Sequence, residues 1–171
     1  MRKRELIPAG NVALVPLAKG RGFAVVDIAD AAEAGRHNWS LKRCKQTSYA
    51  YTNVRSEGGK FRTLTLHEVV LGHPWVDHID GDGLNCRRSN LRPATPSQNG
   101  KNQRKRRGSY TSRFKGVYRR VYPRAPGWRA QLKTDGGVVY LGAFPTEELA
   151  ALAYNQAAAQ HHGEFAKLNE V

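Results

Sequence analysis

An α+β fold is what this sequence predicts: a small β-rich N-terminal part, a strand-loop-strand-helix segment, and a three-stranded antiparallel sheet packed on one helix. Three observations carry the prediction. Short runs rich in valine, threonine and aromatics, separated by glycine or charged turns, fill roughly the first 66 residues. The apolar period changes to a helical one in "LHEVVLGH". The last third alternates apolar and polar residues and then ends in a long alanine-rich segment with a stop at each end.

The elements follow in order. "NVALVPL", "GFAVVDI", "SYAYTNV" and "KFRTLTL" read as strands of an antiparallel lead-in. In Leu66 to His73, Leu66, Val69 and Val70 share a helical face and Gly72 is a stop; His67, near the start, reads as a core residue. "WVDHI" is a strand, "DGDGLNCRRSN" a loop and "LRPAT" a second strand. Thr95 as a cap and Pro96 at the first helical position mark the next helix. "KNQRKRRGSYTS" is basic and poor in apolar residues, which places a linker at residues 101 to 112 between modules at 1 to 100 and 113 to 171.

In the last module "FKGVYRRV", "GWRAQLK" and "VVYLGAF" are three strands, joined by "YPRAP" and by a hairpin turn at Asp135-Gly136. The closing helix is capped by Thr146, carries Glu147 and Glu148 at its positive end and His161 and His162 at its negative end, and stops at Gly163. Leu149, Ala153 and Ala157, with Leu152 beside them, are the stripe expected to lie on the sheet. Alternation turns Trp128, Ala130, Leu132, Val139 and Leu141 to the core. It leaves Tyr118, Arg120, Arg129, Gln131, Lys133 and Tyr140 on the outer face. Arginine, glutamine and lysine on a sheet face suit entry into a DNA major groove, where arginine pairs with guanine and glutamine with adenine.

Charge supports a polyanionic partner. Of the 28 lysines and arginines, 15 fall between Gly83 and Thr134, a stretch with no aspartate or glutamate, while the remainder holds 13 basic and 14 acidic residues. Such concentration is the footprint of nucleic acid, with a solvated basic linker as the bland alternative. The two cysteines, Cys44 and Cys86, form no CxxC pair, so a disulfide framework and a four-cysteine zinc site are excluded. Free buried thiols are expected, rather than a zinc site borrowing His67 or His73. No apolar run reaches membrane-spanning length, and the basic start lacks an apolar core or cleavage site. A soluble, intracellular (cytoplasmic) chain with no membrane partner is expected.

"WVDHIDGDGLN" holds the densest chemistry. A calcium-binding EF-hand needs glycine at its sixth position and glutamate at its twelfth. Counting from Asp77 gives Asp82 and Arg88, and from Asp80 Asn85 and Leu91, so that reading fails. Phosphodiester hydrolysis instead needs a base to activate water and a divalent cation at the phosphate. Asp77 and His78 point to opposite faces of a strand unless it ends or bends there; a glycine-rich loop three residues on and a helix carrying Asn99 could bring both to one cleft.

"VDHIDGDGLNCRRSNLRPATPSQN" resembles the ββα-metal motif of HNH endonucleases of the phage and intron-homing type, with His78 12 residues before Asn90 and 21 before Asn99. The lead-in "GFAVVDI…YAYTNV…LTLHEVVLG" resembles the segment that precedes the motif in such phage proteins. The resemblance implies His78 as general base, Asp77 and Asn99 as ligands of one divalent metal (Mg2+, with Mn2+ as the alternative), and Asn90 as the residue fastening the loop and orienting the base. Cys86 departs from the asparagine common at its position, which implies a structural effect, and Asp80 and Asp82 are left to turn-making.

"FKGVYRR", "WRAQLK" and "YLGAFPTEELAALAYNQAAAQHHGEFAKLN" resemble the plant ethylene-response-factor, or APETALA-type, DNA-binding domain. That resemblance implies DNA contacts at Lys115, Arg120, Gln131, Lys133 and Tyr140. Tyr118 and Val138 replace the arginines usual in plant domains and the first turn is longer, so the plant target sequence does not transfer. The expectation is a metal-dependent endonuclease acting on double-stranded DNA, a monomer that nicks one strand, with a dimer needed to cut both. The competing expectations are a non-catalytic, sequence-specific DNA-binding regulator built on the same scaffold and an RNA-binding protein.

Overall fold

The computed structural model describes residues 4–56, 58–105, 108, 110–120 and 127–171. In chain order they form β1 (Ile7–Ala9), β2 (Val12–Pro16), β3 (Phe23–Asp27), α1 (Ala31–Ala34), β4 (Ser40–Arg43), β5 (Ser48–Arg55), β6 (Phe61–Thr65), α2 (Leu66–Leu71), β7 (Val76–His78), β8 (Leu91–Pro93), α3 (Pro96–Asn102), β9 (Val117–Arg120), β10 (Gly127–Thr134), β11 (Gly137–Phe144) and α4 (Glu147–His162). The architecture is α+β, as the sequence predicts. The chain divides into two compact units, Met1–Pro96 and Ser97–Val171.

In the first unit three small antiparallel sheets, β1-β2-β3, β4-β5-β6 and the ribbon β7-β8, share one core. Alternation puts Ala13 and Val15 of β2 and Ala24 and Val26 of β3 inward, where they meet Leu17, Trp39, Leu66, Val76 and Cys86. Two strands escape the sequence pattern, and both are sheet edges. β1 contains Pro8 and is exposed throughout, and β4 carries Lys42 and Arg43. Proline and lysine are the residues edges tolerate, and neither reads as a strand signal. α2 starts with a Thr65–Glu68 capping box and ends at Gly72 in the left-handed conformation (φ 68°), where the sequence puts its stop.

In the second unit β10 lies between β9 and β11, with α4 across one face. The Asp135-Gly136 turn joins Thr134 to Gly137 as expected, whereas the predicted "YPRAP" connection lies outside the described residues. Thr146 Oγ1 accepts from the Leu149 amide (3.2 Å), capping α4.

The buried face of α4 differs from the expected stripe. Ala150, Ala151, Tyr154, Ala157 and Ala158 face the sheet, while Leu149 and Leu152 are exposed. Close approach decides this. A Cβ on Gly116 would stand 2.1 Å from the Tyr154 ring, so the interface has room for alanine and one ring but not for two leucines. Val139 pairs with Leu132 yet is more than one-third exposed, after a register shift between Ala130 and Gln131. Near the C-terminus Asn169 accepts from the Lys115 amide (2.7 Å) and donates to its carbonyl (3.1 Å). Its own amide donates to Asn155 of α4 (2.7 Å).

α3 is bonded into this second unit. Ser97 and Lys101 donate to the two carboxylate oxygens of Asp135 (2.6 and 2.7 Å), and Lys115 Nζ donates to the Lys101 and Gln103 carbonyls (2.6 and 2.7 Å).

Candidate active site and sheet face

β7 is buried at all three residues. Its register with β8 sets Asp77 opposite Arg92 and His78 opposite Leu91. Asp77 is 2% exposed, and Arg92 meets it with Nε (2.9 Å) and Nη2 (2.7 Å) on Oδ2. A carboxylate at that depth requires a cation beside it, and the guanidinium is that cation.

The neighbours of His78 form a different set, as strand alternation requires. The Tyr49 ring of β5 lies 5.7 Å from it, the His67 ring of α2 stands edge-on at 4.9 Å, and Cys86 Sγ is 3.8 Å from Nε2. Burial pushes His78 down to about 4, against the opposing pull of the Asp80 charge. Burial, and then the His78 charge, push His67 down to about 4. Both imidazoles are therefore neutral at pH 7. Cys86 is fully buried and its thiol is pushed up to about 12, first by burial and then by Asp82 and Asp80.

The loop after β7 is held by its own polar groups. Asn90 donates from Nδ2 to Asp80 Oδ1 (2.9 Å) and to the Asn85 carbonyl (2.8 Å), and its Oδ1 accepts from the Asp80 amide (3.0 Å). Asp80 also accepts from the Asp82 amide (2.7 Å) and from Asn85 Nδ2 (2.8 Å). Burial alone would raise the Asp80 carboxyl; the donors from Asp82, Asn85 and Asn90 outweigh it and hold the group below its usual range. The next turn is sewn to β3, where the Val25 amide donates to Leu84 and the Cys86 amide to Val25 (both 2.8 Å). Arg88 closes the loop with a fork on Asp30 (2.7 to 3.2 Å). The lead-in sheets thus serve as walls of the site: β3 fixes the loop, β5 supplies Tyr49, and α2 supplies His67.

The structure brings His78 together with Tyr49, His67 and Cys86, and places Asn90 as the knot of the adjoining loop. Sequence reasoning passed over Tyr49 and Arg92, and set His67 and Cys86 aside as core. Arg92 was readable from an antiparallel pairing of "VDH" with "LRP". Cys44, expected to be buried, is exposed because it sits in the β4-β5 turn, its amide bonded to Thr47. Asn99 lies on α3 and is half-buried. Asp77 and Asn99 each carry an oxygen donor, the type a hard cation such as Mg2+ takes. His67, His78 and Cys86 offer nitrogen and sulfur, with one ligand atom from each within 4.8 Å of the others.

On the second unit, register sets Arg129 opposite Tyr118, Gln131 opposite Tyr140 and Lys133 opposite Val138. Cross-strand partners share a face. Arg129 lies over the Tyr118 ring (5.4 Å), Tyr140 is 62% exposed, and Arg120, half-buried, shares the Tyr118 side of β9. Lys115 precedes β9; its Nζ donates to the Lys101 and Gln103 carbonyls, and burial, then the neighbouring Lys167 charge, push its ammonium down to about 8.

A carboxylate and an imidazole side by side on a two-stranded ribbon are groups that metal-dependent phosphodiester cleavage can use, one to hold a cation and one to take a proton. Residues 75–101 match the family model described as HNH endonuclease. Over 157 residues the chain is 33% identical to the "Uncharacterized HNH endonuclease L560" of Acanthamoeba polyphaga mimivirus, an alignment spanning 91% of this chain and 79% of that protein. The chain belongs to the HNH endonuclease family, and as such is a phosphodiester hydrolase. No solved structure matches it. Among the described residues no helix is long and apolar enough to cross a membrane.

Proposed function

We propose that this endonuclease nicks double-stranded DNA with water activated by His78, and that its C-terminal sheet selects where it does so. The observation that carries the reading is the setting of His78, a neutral, buried imidazole at the end of β7 inside the family-matched segment. Cys86 directs its S–H to the Gly83 carbonyl (3.8 Å), so its sulfur lone pair accepts from His78 Nε2–H (3.8 Å). That tautomer leaves the His78 lone pair on Nδ1, the atom that takes the water proton. Asn90 holds the loop taut behind the base and is a positioning residue.

Asp77 and Asn99 would hold one divalent cation, Mg2+ with Mn2+ as the alternative. When bound, the cation neutralises phosphate charge and stabilises the departing 3′ oxygen. Arg92 keeps the Asp77 carboxylate oriented. Tyr118, Arg120, Arg129, Gln131, Lys133 and Tyr140 form the DNA-reading face, the role the resemblance to ethylene-response-factor domains gives this sheet. Lys115, bonded to two carbonyls, supports that unit from within. One such site per chain cuts one strand, and tethering to a reading module raises its local concentration at chosen sequences.

The test is nicking of supercoiled plasmid with Mg2+ or Mn2+, beside His78→Ala and an EDTA control. Nicking by the parent alone is expected. Equal cutting by His78→Ala refutes the base, and tight DNA binding without cutting by the parent supports the non-catalytic regulator instead.

A further inference from the structure

We propose that His67, His78 and Cys86 form a second metal site, selective for a borderline cation of the zinc class, whose occupation switches the nuclease off by taking His78 as a ligand. The proposal rests on His78 being the base, as argued above, and uses different residues from the oxygen donors of the hydrolytic cation.

Geometry comes first. Zinc binds sulfur at about 2.3 Å and histidine nitrogen at about 2.0–2.1 Å, so two ligands at a tetrahedral angle stand about 3.6 Å apart. Cys86 Sγ and His78 Nε2 are already 3.8 Å apart. One ligand atom from each of the three residues lies within 4.8 Å of the others.

A second observation points to a ligand. His67 is 9% exposed, and its Nδ1 is buried with no hydrogen-bond partner among the described residues. An unpaired polar nitrogen in a core is costly, so a ring held this way is poised for a ligand. Donor type selects the cation, since thiolate and imidazole favour zinc over magnesium.

Switching follows from proton placement. Zinc at Nε2 displaces the proton that Cys86 otherwise holds there. The neutral imidazole then carries its proton on Nδ1, where the lone pair of the base had been. The Cys86 S–H proton leaves to solvent as the thiolate binds, so one proton is released for each ion taken up. The base is consumed without any change in fold.

Two independent readouts test this on the full chain. In the first, metal-free protein is titrated with Co2+. Thiolate-to-cobalt charge-transfer absorption, uptake of one ion with release of one proton, and bleaching by Zn2+ are expected; Cys86→Ser should lose the sulfur band and His67→Gln should weaken it. In the second, Mg2+-supported plasmid nicking is titrated with Zn2+, each variant read against its own zinc-free rate. Cys86→Ser and His67→Gln should raise the half-inhibiting zinc concentration at least about tenfold, with circular dichroism confirming that both remain folded. If the parent fails to nick at all, the base assignment falls while the cobalt spectrum still decides the site. Absence of a sulfur band in the folded parent, or equal zinc sensitivity in the parent and both variants, overturns the proposal.

Discussion

Acidification from pH 7 to pH 5 should loosen the first unit. His67 and His78 are both neutral in the fold, with values pushed down to about 4, while the unfolded chain binds their protons near the ordinary 6.5. Between these limits the unfolded state carries more protons, so stability rises with pH through that window and is lost as pH falls through it. Going from pH 7 to pH 5 the loss is about 2 kcal/mol per histidine. The two rings stand 4.9 Å apart, so the second proton costs more than the first.

The assay is urea unfolding at pH 7, 6 and 5 in EDTA, followed by tryptophan emission in a Trp128→Phe background. There, buried Trp39 and exposed Trp75 report the first unit. With a urea slope of about 1–3 kcal/mol/M, the midpoint should fall by about 1 M or more from pH 7 to 5, and His67→Gln/His78→Gln should flatten the trend. A midpoint constant over that range, or the same trend in the double variant, would refute the claim that these imidazoles are buried neutral.

Arg92→Leu should cost about 3–5 kcal/mol by leaving Asp77 buried without its cation. Adding Asp77→Asn should recover much of that stability but not cleavage, as a thermal melt and a plasmid assay will show. On the sheet face, Arg129→Ala and Lys133→Ala should each lower the slope of log affinity against log salt by about 1, whereas Tyr140→Ala should weaken binding with the slope unchanged. Gly83→Ala should pull the loop off β5, because its Cβ would meet the Ser48 carbonyl oxygen at 2.4 Å and the Tyr49 ring at 2.6 Å. Hydrogen exchange of the Gly83 amide, now bonded to Thr47 Oγ1, should accelerate.

Local chemistry was legible where one residue type decides one event. Gly72 and Gly163 stop helices, Thr146 caps one, and Asp135-Gly136 turns a hairpin, because each acts through its own backbone or the next turn. The pair Asp77–His78 and the spacings to Asn90 and Asn99 were visible as a motif, because they lie within one short stretch of chain. The buried face of α4 was not legible. Its moment is spread over alanines, and only the depth of the Gly116–Tyr154 contact selects Ala150, Ala151 and Ala158 over Leu149 and Leu152.

By itself the sequence determined the α+β class, the elements of the ribbon and its loop, the concentration of charge, and the candidate base. Those depend on spacing and on residue type. Tertiary structure alone decided the company His78 keeps. His67 from α2, Tyr49 from β5 and Cys86 from the loop converge on it from 11, 29 and 8 residues away in the chain. It also decided that α3 is bonded to Asp135 of the second unit. Such pairings arise where separately formed elements pack. A burial that no periodicity encodes is what keeps the His78 imidazole neutral, with a sulfur beside its Nε2.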